Sequence, residues 1–236
     1  MLLEICIDSF QSAAAAKAGG ADRLEVCSSL AAGGTTPSYA LVEQCVVDLK
    51  MPVMMMIRPH DGGFVYDEAD VETMKRDIEI AKSIGVQGIV LGALTSERMI
   101  DHETCGRLID AAAALEVTFH RAFDLVPNPL AAVEELETLG FHRVLTSGQQ
   151  RTALAGAELI AGLTERAASL CILAGGGVNA DNARQLVERT GVQEVHGSAS
   201  VLANDGQSLG NVSFGTQRRV TNAAQVRAIQ TAIASP

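Results

Sequence analysis

Eight short apolar runs, each ending in polar or glycine residues and each followed by a helical stretch, constrain this chain more than any other feature. They lie at 2–7, 24–27, 53–57, 88–91, 117–120, 144–146, 172–174 and 195–196. Their spacing of about 20 to 30 residues is the length of one strand–helix unit. Eight such units predict an α/β chain closed into a (β/α)8 barrel, the TIM barrel, as a single domain over residues 1–236. The rival, an open doubly wound sheet, normally has fewer strands. In the closed barrel the polar strand ends gather at one rim and form one site.

The helix ends carry their own signals. Thr36-Pro37 and Asn128-Pro129 read as an N-cap followed by Pro at the first helical position, and Asp101, Asn179 and Asn222 read as further N-caps. Gly85, Gly140 and Gly191 stand where a helix stops in the left-handed conformation. Each leads into a similar strand entry (Gly85-Val-Gln-Gly-Ile-Val, Gly140-Phe-His-Arg-Val-Leu, Gly191-Val-Gln-Glu-Val-His), an internal repeat of the αβ turn. Residues 204–217 read as a long final loop and 223–233 as the C-terminal helix.

Composition narrows the function classes. A formal charge of -10 argues against a nucleic-acid partner or an anionic membrane, which need clustered Lys and Arg. It leaves room for a small anionic ligand at a locally positive site. Tryptophan is absent, so stacking platforms for single strands are not expected. No apolar stretch approaches the roughly 20 residues of a membrane span. The N-terminus carries Glu4 and Asp8 and reads as a first strand, not a secretory signal. Cys6, Cys27, Cys45, Cys105 and Cys171 show no C-x-x-C spacing, which suits reduced thiols in a cytoplasmic protein.

Alternation along the first two strands, Leu3-Glu4-Ile5-Cys6 and Leu24-Glu25-Val26-Cys27, puts Glu and Cys on the face toward the barrel axis. Buried carboxylates demand partners. Arg58 at the end of the third strand is the evident one, with His120 and Arg121 as others. The competing reading is a structural ion-pair cluster filling the barrel. After the third strand, Gly62-Gly63 gives a flexible turn, and His60 and Tyr66 come within reach of a ligand.

The fifth strand ends in Phe119-His120-Arg121-Ala122-Phe123-Asp124. Here His120 is a candidate general base oriented by Asp124 or a glutamate, and Arg121 a bidentate carboxylate or phosphate binder. Glu25, His120 and Asp124 are therefore the catalytic candidates. Ser147 ends the sixth strand, Gly175, Gly176 and Gly177 the seventh, and His196, Gly197 and Ser198 the eighth. Loops after strands seven and eight are the usual phosphate place in this fold, where glycine N–H groups and a helix N-terminus meet an anion. With Glu4, Arg58 and Arg121, these residues make the candidate ligand-binding set. Tight turns without a ligand are the plainer explanation.

Met51 and Met54-Met55-Met56 raise copper, because thioether and thiolate ligands select Cu(I). Alternation splits them, with Met54 and Met56 on one face and Met55 on the other, and a Met-rich buried strand is more often gap-filling core. Cys6 and Cys27 on adjacent strands offer a two-thiolate metal site.

The runs Gly20-Ala21-Asp22-Arg23-Leu24-Glu25-Val26-Cys27 and Gly33-Gly34-Thr35-Thr36-Pro37-Ser38 resemble the opening of the CutC family. Ile57-Arg58-Pro59, Thr118 to Asp124, Leu145-Thr146-Ser147-Gly148 and Gly175-Gly176-Gly177 follow in the family's order, and the resemblance covers residues 1–200. His60 departs from it, since an Arg commonly follows that Pro; an anion contact there would be weaker or pH-dependent. The resemblance implies a TIM barrel, a cytoplasmic location, homo-oligomers such as a dimer, and a role in copper homeostasis.

Two readings of function follow. One is a copper homeostasis protein holding Cu(I) at Cys6 and Cys27, with His120 or a Met as a further ligand. The alternative is an acid/base enzyme acting on a small anionic or phosphorylated metabolite at the barrel mouth. No cofactor fingerprint accompanies the pocket, so isomerisation, hydrolysis or lyase chemistry suits it better than redox.

Overall fold

The eight apolar runs are eight parallel strands that close into one barrel, each hydrogen-bonded to the next and the eighth to the first. The computed structural model describes residues 1–203 and 218–234; the loop expected at 204–217 lies outside them. The strands are β1 (Leu2–Ile7), β2 (Arg23–Val26), β3 (Val53–Met56), β4 (Gly88–Leu91), β5 (Glu116–Phe119), β6 (Arg143–Thr146), β7 (Cys171–Gly175) and β8 (Glu194–Gly197). The helices that alternate with them are α1 (Phe10–Gly19), α2 (Tyr39–Glu43), α3 (Glu68–Ile84), α4 (His102–Ala112), α5 (Pro129–Leu139), α6 (Ala157–Arg166), α7 (Ala183–Thr190) and α8 (Ala223–Ala234). A small antiparallel pair, β9 (Ser200–Leu202) and β10 (Arg219–Thr221), follows β8. No helix among the described residues is long and apolar enough to cross a membrane.

Five strands begin one residue earlier than the apolar runs, at Arg23, Glu116, Arg143, Cys171 and Glu194. All but one of these residues are charged. They lie inside the sheet because their side chains point to the axis, where charged partners await them.

Alternation divides the interior into two cores. Leu3, Ile5, Leu24, Val26, Met55 and Ile89 pack outward against the helices. Cys27, Met54, Met56 and Val90 form a separate cluster inside the barrel. The split of Met54 and Met56 from Met55 is the one expected from a period of two. Gly88 makes room for this filling: a Cβ there would lie 2.6 Å from Met54 Cε and 2.4 Å from Glu116 O.

Asp101, Asn128 and Asn222 cap their helices as expected. Gly85, Gly140 and Gly191 take left-handed φ at the αβ turns. Two caps differ. Ser38, not Thr36, caps α2, because the Thr36 hydroxyl is taken by the backbone of Arg58 across the barrel rim. After β7, Asn179 turns the chain by accepting from Asp181 N–H, and α7 begins only after Asn182.

Candidate functional site

The lower half of the barrel interior is a ladder of alternating charges. Arg23 Nε donates to Glu4 Oε2 at 2.5 Å and Arg23 Nη2 to Glu194 Oε2 at 2.5 Å. Arg143 Nε meets the same Glu194 oxygen at 2.7 Å, and Arg143 Nη2 reaches Glu116 Oε2 at 3.1 Å. Register explains the contacts: Glu4 lies beside Arg23 on one neighbour and His196 on the other. The remaining Glu4 oxygen accepts from His196 Nδ1 at 2.9 Å. Burial alone would raise the Glu4 pKa, but the bond from His196 and the Arg23 charge outweigh it and hold the carboxyl at about 2. Burial would likewise lower the pKa of His196, yet Cys6, Glu25 and Glu4 raise it well above its usual value.

These pairings correct the expectation that Arg58 partners the inward glutamates. Arg58 is spent on carbonyls: Nη1 donates to Ala32 O at 3.0 Å and Gly34 O at 2.9 Å, and Nη2 to Gly62 O at 2.6 Å. Its guanidinium carbon sits 5.0 Å from the Phe64 ring centroid. Glu4, expected to bind a ligand, has both oxygens engaged and fixes His196 instead.

Above the ladder the groups are less fully paired. Glu25 Oε1 accepts from Cys27 Sγ at 3.3 Å, while Glu25 Oε2 has no partner. Burial pushes the Glu25 carboxyl up, against the opposing pull of the His196 charge. Burial, with Glu25 and Cys6 adjacent, pushes the Cys27 thiol well above its ordinary range. His120 Nδ1 accepts from Ala122 N–H at 3.3 Å, so the neutral ring carries its proton on Nε2, which has no partner. Burial and the nearby Arg58 charge push the imidazole down to about 3.

A cavity of about 390 Å³ opens here, with Cys6, Glu25, Arg58, His120, Arg121 and His196 in its walls. A second cavity of about 410 Å³, bordered by Asp8, Ser198, Ser200 and Arg219, meets the first at Cys6 and Leu30. Among the described residues, Glu4, Glu25 and His196 bring three metal-type donor atoms within 4.8 Å of one another. As arranged they form an ion-pair cluster, because Glu4 holds Arg23 and His196 through both oxygens.

The remaining candidates are placed differently from expectation. Asp124 does not orient His120. The short 3-10 turn Arg121–Leu125 carries it toward β6, where it accepts from Thr146 Oγ1 at 2.6 Å, Ser147 N–H at 3.1 Å and Arg121 Nε at 2.9 Å. Ser147 is fully buried and accepts from Arg121 Nη2 at 2.6 Å. Gly175, Gly176 and Gly177 pack closely against the β6 side: Cβ atoms there would lie 2.6 Å from Leu145, 3.0 Å from Ser147 and 3.2 Å from Thr152. Gly197 pairs with Ile5 inside the sheet, and Ser198 bonds Ser200 at the second cavity. His60 turns away from the mouth to Asp70, 3.3 Å distant.

The CutC family model matches residues 1–201. A human protein named copper homeostasis protein cutC homolog is 46% identical over 213 residues, covering 90% of this chain and 78% of the human one. The chain belongs to the CutC family. A CutC family protein of Histophilus somni (strain 2336) is 47% identical over 218 residues, covering 89% of this chain and 90% of that one. The solved structure of a Streptococcus agalactiae protein, described as a copper homeostasis protein CutC, superposes with a TM-score of 0.81 at 34% identity, covering 84% of this chain and 98% of that one.

Within this CutC chain, four charged residues of the ladder are not among the candidates the sequence offers. Arg23, Glu116, Arg143 and Glu194 carry the same signal: each stands two residues before an inward-facing position of its own strand. Phe64 also went unweighed, yet its ring packs between Arg58 and His120, 4.8 Å from the imidazole centroid. Gly92 is required at the end of β4, since a Cβ there would lie 2.7 Å from His120 Nδ1.

Proposed function

We propose that this chain serves copper homeostasis, the role for which its human relative is named, by holding Cu(I) between Cys6 and Cys27. The observation that carries this reading is the gathering of sulfur on the barrel axis. Cys27, Met54 and Met56 pack together, and Cys6 faces the same axis from the adjoining strand. Thiolate and thioether donors favour Cu(I) over harder ions. Cys6 and Met56 line the mouth cavity, so an entering ion meets sulfur there first and Cys27 beyond. Five unbonded cysteines suit a reducing cytoplasm.

Ligation requires Cys27 to release its proton. Because its surroundings hold that proton tightly, Cu(I) affinity rises with pH. The test is a Cu(I) titration against a competing chelator under reducing conditions. The wild-type chain takes up about one Cu(I), and Cys6→Ser with Cys27→Ser weakens binding by at least roughly 100-fold. Undiminished affinity in the folded double variant refutes the assignment.

A further inference from the structure

Among the described residues four buried side-chain polar atoms lack a hydrogen-bond partner: Glu25 Oε2, Arg58 Nε, Tyr66 OH and His120 Nε2. Three of the four belong to residues that line the mouth cavity. Each of those residues is only 4% exposed, so bulk water does not serve them as it serves a surface group. Native interiors rarely leave such atoms unmatched, and a cluster of them around one cavity marks where a ligand supplies the missing partners.

We propose that the mouth cavity binds a small hydroxy acid, whose carboxylate oxygens accept from Arg58 Nε–H and His120 Nε2–H and whose hydroxyl donates to Glu25 Oε2. This site goes beyond copper binding and uses different side chains from it. Both donors are held in place before any ligand arrives. Carbonyls of Ala32, Gly34 and Gly62 take three of the five N–H groups of Arg58, and its Nε–H has no hydrogen-bond partner. The His120 ring is fixed by Ala122 N–H at Nδ1, by the tilted Phe64 ring at 4.8 Å, and by bare backbone at Gly92. Two donors, one of them cationic, match an anion with acceptor oxygens, and the nearby acceptor at Glu25 asks for a hydroxyl. The arrangement makes His120 a hydrogen-bond donor and not the base that its sequence context suggested. Its depressed pKa, about 3, keeps the ring neutral and this donor unchanged across the physiological range.

Nitrogen-15 NMR of the histidines in the full chain tests both halves of the proposal. His120 is expected as the Nε2–H tautomer from about pH 6 to 8. Glycolate, lactate and glycerate are then titrated in separately, with chloride at equal ionic strength as control and inorganic phosphate as a rival anion. At least one hydroxy acid is expected to shift His120 Nε2 saturably, and Arg58→Met or His120→Asn to weaken that binding about tenfold or more. An Nδ1–H tautomer overturns the proposal. So does the absence of any saturable shift up to roughly 50 mM acid, or a response to chloride or phosphate alone. The wild-type titration decides the matter even where a variant fails to fold.

Discussion

The two halves of the barrel interior use the same residue types in opposite ways. Below, Glu4, Arg23, Glu194, Arg143 and Glu116 alternate in sign, and the Glu4 carboxyl is held at about 2 by its partners. Above, Glu25, Arg58 and His120 are nearly as buried as Glu4 and Arg23, yet each keeps one polar atom unmatched. Burial is therefore not what separates them; pairing is. A fully paired charge cluster holds a fold in register, whereas a partly paired one costs stability unless something else completes it. The TIM-barrel division of labour, with stability at the strand starts and chemistry at the strand ends, is thus written in hydrogen bonds.

The largest effect expected from this contrast is acid sensitivity contributed by the mouth. His120 has a folded pKa of about 3 against an ordinary 6.5. The unfolded chain therefore takes up a proton below pH 6.5 that the folded one refuses. Stability from this group is full above that pH and is lost progressively toward pH 3, on the order of 5 kcal/mol in total at about 1.4 kcal/mol per unit. Denaturant unfolding across that range checks it: His120→Asn, which keeps the cap on Ala122, flattens the profile, and an unchanged slope breaks the comparison.

Arg23→Met strikes the paired half. It takes a cation from Glu4 and Glu194, leaving them His196 and Arg143, and should destabilise by about 3 kcal/mol, read from the urea midpoint. Gly92→Ala sharpens the account of the mouth. Its new methyl collides with the His120 ring and should cost about 1 to 3 kcal/mol, with a shifted His120 resonance. Arg121→Ala should cost less than about 1 kcal/mol, because its ion pair with Asp124 lies at the solvent edge, with Arg121 45% exposed.

Much of the fold was legible because strand spacing and the αβ-turn glycines are local signals. The inward face of Glu4, Cys6, Glu25 and Cys27 was legible for the same reason: alternation is a property of one strand. Partnership was not. Arg23 reaches Glu194 only because the barrel closes β8 onto β1, and no single segment carries that fact. Asp124 misled for the converse reason. It is four residues from His120 in sequence, but a 3-10 turn aims it at Thr146 and Ser147. The glycines at 175–177 carry a true signal of close approach, and what approaches is Leu145 of β6 at Gly175 and the loop after β6 at Gly176 and Gly177.

The same substitution on adjacent strands gives the most direct test of the division between the halves. Urea unfolding of Glu4→Gln and Glu25→Gln is measured side by side near neutral pH. The depressed pKa of Glu4 predicts a loss of about 3 kcal/mol for the first, and the raised pKa of Glu25 predicts less than about 1 kcal/mol for the second. Equal losses, or a larger loss at Glu25, would contradict the account.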